Sequence, residues 1–282
     1  MVVTLLGAAE IRALAADLDV TPTKKLGQNF VVDANTVRKI VHVARVTADD
    51  HVVEVGPGLG SLTLAILETG APVTAVEIDH RLAARLAQTA AVHGVPDGAL
   101  SVIAADALRI TELPGDPDVL VANLPYNVSV PVLLHFMETF DGIQRGVVMV
   151  QAEVGERLAA PSGSKTYGAP SVKAAWYGVW RLAGTVSRQV FWPVPNVDSV
   201  LVAFDRDPQP RGDEEERRRT FRIVDAAFQQ RRKMLRQALA GVLGGTAAEA
   251  SAVLEAAGVA PTARGEELTI DDFVAISRAL VT

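Results

Sequence analysis

The chain has 282 residues, of which 49% are hydrophobic and 21% are charged, a composition typical of a globular protein with ample material for a core. It contains no cysteine, which excludes a disulfide framework, a thiolate nucleophile and a cysteine-based zinc site, and its five scattered histidines form no HxxxH or HxH pair for a metal. The net charge of −6 argues on average against a nucleic-acid partner, but this average conceals a local basic segment.

The first 46 residues or so predict a helical N-terminal extension. Apolar residues recur at helical spacing over residues 8–18, Thr21-Pro22-Thr23 ends this helix, and a second helical pattern covers residues 37–44. Charged residues interrupt the first apolar stretch, and no run in the chain approaches the roughly 20 apolar residues that span a bilayer. We therefore expect no signal peptide, no membrane association and a cytoplasmic location.

From His51 onward, short apolar runs alternate with helical patterns. This alternation is typical of βαβ units and of a parallel, doubly wound sheet in the α/β class. Two later stretches would complete the sheet as an antiparallel edge pair. The first five predicted strands are HVVEV (51–55), PVTAVEI (72–78), LSVIAA (100–105), VLVA (119–122) and GVVMV (146–150), and the edge pair is AAWYGVW (174–180) and SVLVAF (199–204).

The composition changes after Phe204. The stretch DRDPQPRGDEEE is polar and contains proline, as in a linker, and the rest of the chain has helical patterns broken by Gly244-Gly245, Gly258 and Pro261. These features predict a first domain over residues 1–205 and a small α-helical domain over residues 206–282.

A glycine-rich turn follows the first predicted strand and precedes a helical pattern. Its sequence is EVGPGLG (54–60), and such glycines let the backbone approach a ligand closely. The spacing is GxGxG and residue 61 is serine, so the GxGxxG fingerprint of dinucleotide-binding proteins is not met. A bound pyrophosphate is therefore disfavoured, but a ligand site at the carboxyl ends of the strands is still expected.

Acidic residues end the next two strands. Glu77 is placed to accept hydrogen bonds from both hydroxyls of a ribose, unless it is a surface carboxylate. Asp106 is placed to accept from an adenine amine, with Ala107 and Leu108 covering the base, unless it caps the following helix. A nucleoside-like ligand without a phosphate site indicates S-adenosylmethionine (SAM), whereas a nicotinamide cofactor would require the missing glycine pattern.

The fourth strand ends in Asn123-Leu124-Pro125-Tyr126, which suits the transfer of a methyl group to an exocyclic amine. The lone pair of such an amine is delocalised into the base. Two acceptors, the Asn123 side-chain oxygen and the Leu124 carbonyl, would hold a more tetrahedral amine towards a sulfonium. Pro125 would fix the carbonyl, and Tyr126 would stack on a flipped base. The alternative is an ordinary Asn-x-Pro turn with a packed tyrosine.

A second aromatic residue is a candidate for the target base. Phe191 lies in a stretch made rigid by Pro193 and Pro195, where its ring would close the other face of the base. The alternative is a hydrophobic staple between edge strands, which suits Trp192 better than Phe191.

The basic segment runs from Arg217 to Arg236 and contains eight basic residues against one acid, Asp225. Such a stripe is typical of a nucleic-acid contact. The four acids at residues 213–216 partly offset it, so a solvated helix face with internal ion pairs is the alternative.

Taken together, these motifs resemble those of the rRNA adenine dimethyltransferases, in the same order and over nearly the whole chain. One departure is Ala105, which precedes Asp106 where the family usually has glycine. The matching segments are Gly27-Gln28-Asn29-Phe30, EVGPGLG (54–60), Val76-Glu77-Ile78-Asp79, Asp106-Ala107-Leu108, Asn123-Leu124-Pro125-Tyr126, Pro193-x-Pro195-x-Val197-Asp198-Ser199 and Phe228-x-x-Arg231-Arg232-Lys233.

The resemblance implies a class I SAM-dependent methyltransferase fold, Rossmann-like with a mostly parallel seven-stranded sheet, and a small C-terminal α-helical domain. It implies cofactor contacts at Gln28, Asn29, Val31, Gly56, Gly58, Glu77, Ile78, Asp106, Ala107 and Asn123. The target adenine would be held by Asn123, Leu124, Pro125, Tyr126 and Phe191. RNA contacts are expected at Lys24, Lys25, Arg231, Arg232, Lys233 and Arg236.

Within the family, the basic stretch from Phe228 to Arg236 and the Ser164-Lys165-x-Tyr167-Gly168 loop favour the enzymes of the small ribosomal subunit. These convert two adjacent adenosines in the 3′-terminal hairpin of 16S rRNA to N6,N6-dimethyladenosine. The implied partner is 16S rRNA in a 30S subunit or its precursor, bound by a monomer that needs no metal. The alternatives are a large-subunit dimethyltransferase of the macrolide-resistance type, a DNA adenine or protein-glutamine methyltransferase, and an RNA-binding assembly factor that has lost catalysis.

Overall fold

The computed structural model describes residues 3–20, 29–125 and 127–281. The strands of these residues are β1 (Phe30–Val31), β2 (Val52–Val55), β3 (Val73–Glu77), β4 (Leu100–Ala104), β5 (Val119–Asn123), β6 (Arg145–Gln151), β7 (Gly178–Val186), β8 (Phe191–Trp192) and β9 (Ser199–Arg206). They form a seven-stranded sheet in the order β4-β3-β2-β5-β6-β9-β7 and a separate two-stranded ribbon of β1 and β8.

Several α-helices of the described residues begin at a side chain that caps the free N–H groups of the first turn. Asp33 accepts from the Thr36 N–H at 2.7 Å at the start of α2, and Asp213 accepts from the Glu216 N–H at 2.8 Å at the start of α8. The helices are α1 (Ala8–Asp17), α2 (Ala34–Val43), α3 (Ser61–Leu67), α4 (His80–Val92), α5 (Ser129–Thr139), α6 (Ala152–Leu158), α7 (Ala169–Tyr177), α8 (Glu214–Gln229), α9 (Leu235–Ala238), α10 (Ala247–Ala256) and α11 (Ile270–Ala279).

The register of the parallel strands brings their carboxyl ends to one edge of the sheet. Val55 of β2 lies opposite Val76 of β3 and Ala122 of β5. Strands β4 and β6 continue the parallel arrangement, and β9 returns antiparallel to β6. The predicted α/β fold with a mostly parallel seven-stranded sheet is confirmed. In such sheets, ligands bind outside the carboxyl ends of the strands.

The core lies between this sheet and its helices. Ile40 of α2 and Ile66 of α3 are fully buried in the same apolar cluster as Val52 and Val121 of the sheet. In a second cluster, Ile11 of α1 packs with Phe30, Leu64 and Leu82 among others. Apolar contacts therefore fix the N-terminal helix to the sheet and bring β1 close to the strand ends.

Contacts divide the chain into two compact units. One comprises Met1–Gly155 with Arg181–Arg206, and the other comprises Glu156–Trp180 with Asp207–Thr282. The second is called the helical unit below. It includes the earlier segment Glu156–Trp180, which the predicted division after residue 205 leaves in the first domain. The assignment of domains stays a prediction.

The strand predicted over residues 174–180 is wrong for most of its length, because helix α7 continues to Tyr177 and β7 begins after it. Pro170 lies in the first turn of α7, where a missing N–H leaves no hydrogen bond unmade. Trp176 and Tyr177 both pack edge-on against Phe221 of the helical unit. The apolar run thus reflects burial in a helix, which a short run does not distinguish from burial in a strand.

No helix among residues 3–20, 29–125 and 127–281 is long and apolar enough to cross a membrane. The same residues contain no group of three or more histidine and acidic side chains that could hold a metal ion.

Candidate active site

A cavity of about 280 Å³ lies at the carboxyl ends of β2, β3, β4 and β5. Of the described residues that are predicted to hold the cofactor or the adenine, Leu124 and Phe191 do not line it. Gln28 and Tyr126 lie outside the described residues, as do Lys24 and Lys25. The predicted residues that do line the cavity are Asn29, Val31, Gly56, Gly58, Glu77, Ile78, Asp106, Ala107, Leu108, Asn123 and Pro125.

The glycine turn forms one wall of the cavity. Gly58 has a positive φ of 58°, and a Cβ atom at this position would lie 3.0 Å from Cε1 of Phe30. Gly60 precedes the first residue of α3 with a φ of 100°, which places it in the left-handed region. A side chain at either position would meet both backbone strain and a close neighbour. The turn therefore presents backbone rather than side chains to a ligand.

Glu77, at the end of β3, is only 5% exposed, and both of its carboxylate oxygens accept backbone N–H groups. Gly58 donates to Oε2 and Asp79 donates to Oε1, each at 3.0 Å. Burial raises the pKa of Glu77, and these hydrogen bonds partly oppose the rise. Glu77 is thus held rigidly in the cavity wall, and the alternative of a surface carboxylate is wrong.

Glu54 of β2 lines the same cavity, although sequence reasoning alone does not single it out. It is 1% exposed, and its Oε2 atom has no hydrogen-bond partner among the described residues. Burial raises the pKa of Glu54 to about 8, the neighbouring Thr63 hydroxyl partly opposes this rise, and the nearby Glu77 carboxylate adds to it. The signal in the sequence is an acid inside the otherwise apolar strand VVEV. A buried carboxylate oxygen without a hydrogen-bond partner in the described chain fits a cationic group of a ligand.

Asp106 follows β4 at the rim of the cavity. Its Oδ1 accepts from the Leu108 N–H at 2.9 Å, and its Oδ2 lies 3.7 Å from Nε of Arg109. Residues 105–118 contain no helix, so Asp106 does not cap one. The local turn orients a partly exposed carboxylate beside Ala107, where an amine donor can reach it.

Asn123, the last residue of β5, donates through Nδ2 to the main-chain carbonyl of Asn29 at 3.1 Å. Its Oδ1 accepts no hydrogen bond from the described residues. The side chain of Leu124 is fully buried, and its N–H donates to the Met149 carbonyl at 3.1 Å. Leu124 therefore anchors the turn in the core, whereas Asn123 and Pro125 face the cavity.

Phe191 and Trp192 form β8, in which Phe191 pairs with Val31 and Trp192 pairs with Phe30 of β1. Phe191 is 2% exposed and belongs to the main apolar cluster. A ring without an open face cannot stack on a base, so this arrangement does not support the predicted contact of Phe191 with the adenine. Trp192 stacks on Phe30 with ring centroids 6.3 Å apart, as in the hydrophobic alternative.

The basic segment is divided between paired and unpaired cations. In its first half, Arg217 and Arg218 both pair with Glu214, and Arg219 pairs with Glu215. In its second half, Arg231 pairs with Glu266 at 2.7 Å. The cations that form no ion pair with the part of the chain that the structure describes are Arg222, Arg232, Lys233 and Arg236.

Residues 21–281 match the family model described as ribosomal RNA adenine dimethylase. The chain belongs to this family. The prediction of an rRNA adenine dimethyltransferase is thereby confirmed, and the dimethylase family accounts for the order of motifs along the sequence.

Curated relatives place the chain within the dimethylase family. The ribosomal RNA small subunit methyltransferase A of Leifsonia xyli subsp. xyli is 67% identical over 275 residues, which cover 97% of this chain and 98% of that protein. The protein of the same name from Streptomyces coelicolor is 58% identical over 276 residues, covering 97% and 96%. The predicted small-subunit type, in preference to the large-subunit type, is confirmed by these relatives.

Solved structures agree on the fold. The 23S rRNA methyltransferase ErmE has a TM-score of 0.67 at 25% identity and covers 90% of this chain and 100% of its own. A dimethyladenosine transferase from Plasmodium falciparum has a TM-score of 0.75 at 23% identity and covers 86% of this chain and 94% of its own. The predicted methyltransferase fold is therefore confirmed.

Proposed function

We propose that the protein transfers methyl groups from SAM to the N6 amines of two adjacent adenosines in the 3′-terminal hairpin of 16S rRNA. Membership of the dimethylase family and the small-subunit relatives support the reaction and the subunit. One observation carries the proposal: a single cavity joins Glu54, Glu77 and Asp106 to Asn123 at the ends of adjacent strands. The substrate is 16S rRNA in a 30S subunit or its precursor, and the enzyme acts as a cytoplasmic monomer.

The polar groups of the cavity fit the parts of SAM, which supplies a methyl group on a sulfonium. Glu77 accepts from the ribose hydroxyls, and Asp106 accepts from the adenine amine. The unpartnered Oε2 of Glu54 fits the ammonium group. The remaining proposed contacts are Gln28, Asn29, Val31, Gly56, Gly58, Ile78, Ala107 and Asn123.

The protonation of Glu54 is linked to this binding. With a pKa near 8, the carboxyl of Glu54 holds its proton in the free protein at neutral pH. An ammonium beside Oε2 favours the carboxylate, so the proton leaves as SAM binds. Binding of SAM thus converts Glu54 from a buried neutral acid into the carboxylate of an ion pair.

Asn123 and Leu124 hold the target amine through the Asn123 side-chain oxygen and the Leu124 carbonyl. Both accept from the N–H groups and draw the nitrogen lone pair out of the base plane. The nitrogen then bonds the methyl carbon as the carbon–sulfur bond breaks, and the surplus proton leaves to water. Pro125 restricts the Leu124 backbone, and Tyr126, outside the described residues, stacks on the base.

Contact with RNA is proposed for the unpaired part of the basic segment. Arg232, Lys233 and Arg236 have no internal ion pair in the described chain, so their charges remain available for phosphates. Arg231 would also contact RNA, either while it keeps its ion pair with Glu266 or after that pair breaks. Lys24 and Lys25 complete the proposed set.

The proposal is tested with methyl-labelled SAM and three substrates in parallel: 30S subunits that lack dimethyladenosine, 50S subunits and naked 16S rRNA. We expect label on two adjacent adenosines of the 3′-terminal hairpin when 30S subunits are the substrate. Label on the 50S subunits alone would establish the large-subunit reaction instead. Absence of label on all three, with intact RNA binding, would establish a non-catalytic assembly factor.

Asn123→Ala is the matched variant for this assay. It should slow methyl transfer on the order of 100-fold or more, since one positioned group for the reacting centre is lost. Binding of SAM should stay within about threefold of the parent, because Glu77 and Glu54 are retained. A normal rate of dimethylation would show that Asn123 does not hold the amine.

A further inference from the structure

The hydrogen bond from Asn123 to Asn29 fixes the direction of a catalytically placed amide. The Nδ2 atom donates to the Asn29 carbonyl at 3.1 Å, and a carbonyl can only accept. Oxygen and nitrogen share one planar carbon in a side-chain amide, so the position of Nδ2 determines that of Oδ1. Oδ1 has no hydrogen-bond partner in the described chain, and Asn123 lines the cavity.

The carbonyl of Asn29 is itself held by the ribbon of β1 and β8. The next residue, Phe30, is buried, lies in close contact with Gly58 and stacks on Trp192. One residue further, Val31 pairs with Phe191, and the Val32 N–H donates to the Val190 carbonyl at 2.8 Å. The ribbon therefore fixes the backbone at Asn29 from its C-terminal side.

We propose that the Asn29 carbonyl is a positioning group for methyl transfer, which turns Oδ1 of Asn123 towards the target amine, and that the β1–β8 ribbon holds this carbonyl in place. The inference rests on the proposed function, in which Oδ1 accepts from the amine. With the carbonyl misplaced, the amide is free to rotate, and its N–H groups then face the N–H groups of the target. The two donors repel, and the amine loses its acceptor.

Asn123→Asp separates this role from the simple presence of an oxygen. Aspartate has nearly the same shape and keeps an acceptor for the amine, but it has no donor for the Asn29 carbonyl. An acceptor would then face an acceptor, and the side chain would turn away. We expect kcat to fall on the order of 100-fold, close to the loss in Asn123→Ala, and any change in the Kd for SAM to be much smaller than this fall.

Trp192→Leu tests the ribbon, since Trp192 stacks on Phe30 without lining the cavity. Loosening Phe30 should lower kcat on the order of 10-fold, because small misplacements of reacting groups slow chemistry, and any rise in the KM for SAM should be smaller than this fall in kcat. Trp192→Phe keeps the stack and should restore most of the rate. Trp192→Leu should have little further effect in the Asn123→Asp background, because both changes break the same link.

A spectroscopic measurement isolates the link from general destabilisation. In nuclear magnetic resonance spectra, the side-chain amide protons of Asn123 should exchange slowly in the parent and in Trp192→Phe, and faster in Trp192→Leu. Equal exchange in all three, or an unchanged kcat in Trp192→Leu, would overturn the role of the ribbon.

The experiments distinguish a failure of the positioning by Asn29 from a failure of the proposed role of Asn123. If Asn123→Asp methylates at the parent rate while Asn123→Ala is slow, the positioning by Asn29 is wrong and the amine acceptor stands. If Asn123→Ala also keeps the parent rate, the proposed role of Asn123 in the reaction is wrong, whatever the amide exchange shows.

Discussion

The cavity and the basic segment carry their charges in opposite ways. Glu54 and Glu77 are almost fully buried at fixed positions in adjacent strands, and their pKa values are raised by burial. Arg232 and Lys233 are exposed and unpaired within the described chain. Burial makes each charge count individually, whereas solvent and salt screen exposed charges so that only their sum matters. Single substitutions should therefore be severe in the cavity and mild in the basic segment.

The sharpest test of this contrast is Glu77→Ala. The change removes the proposed ribose acceptor and leaves the N–H groups of Gly58 and Asp79 without partners, so SAM should bind on the order of 100-fold more weakly. Calorimetric titration measures the affinity. Glu77→Gln, which keeps one acceptor oxygen, should recover part of the loss. An unchanged affinity in Glu77→Ala would remove the ribose assignment.

Glu54→Gln should have a smaller effect on affinity but a clear effect on protons. At pH 7 the parent should release roughly one proton per SAM bound, because the acid ionises beside the ammonium. Titration in buffers of different ionisation enthalpy measures this release. Glu54→Gln should release none, and equal release by both proteins would place the titrating group elsewhere.

The Glu54 carboxyl should also make the stability of the free protein depend on pH. Above pH 4.5 the unfolded chain loses the Glu54 proton, whereas the folded protein keeps it until about pH 8. The free energy of unfolding should therefore fall as pH rises through this window, and SAM should oppose the fall. Urea denaturation of the parent and of Glu54→Gln at several pH values compares the slopes, which should be flatter in the variant.

The exposed cations should act together on RNA binding. Replacing Arg232, Lys233 and Arg236 by alanine should weaken binding to 30S subunits and lower the salt dependence of log Kd by roughly two to three charges. The matched control replaces Arg218 and Arg219, which pair with Glu214 and Glu215. If the control changes the salt dependence and the triple variant does not, the assignment of the two halves is reversed.

The smallest effect on RNA binding is expected at Arg217, a basic residue that is buried in the helical unit. It pairs with Glu214 at 2.8 Å and lies 5.0 Å from the ring centre of Phe221. Arg217→Ala should lower the free energy of unfolding by about 1 kcal/mol, because these contacts are lost. Urea denaturation measures the change, and binding to 30S subunits should be unaffected at temperatures where the variant is folded.

The parallel strands were predictable because each is a short apolar run bounded by turn residues, and their order follows from the alternation with helices. The convergence of Gly56, Glu77 and Asn123 then follows from register alone. Helix α7 was not predictable, because a buried helix and a buried strand share the same apolar composition over a few residues.

The site likewise has residues that the sequence could predict and residues that it could not. Residues at strand ends could be found because polar groups after an apolar run are conspicuous. Glu54 lies within a strand, where its importance depends on the absence of a partner for Oε2, and partners are a property of the folded chain. Phe191 is the reverse case: an aromatic ring in a proline-rich stretch suggests exposure, but its pairing with β1 buries it.

The register of β5 has a consequence for how such a protein can change over evolution. Side chains alternate between the two faces of a sheet, so one residue inserted between Val119 and Asn123 would turn the Asn123 side chain to the opposite face. Residues 109–118 form no helix or strand and do not line the cavity, and insertions there would leave every strand end where it is. Deletions and insertions should therefore accumulate in the connections, while the lengths of the strands are inherited unchanged.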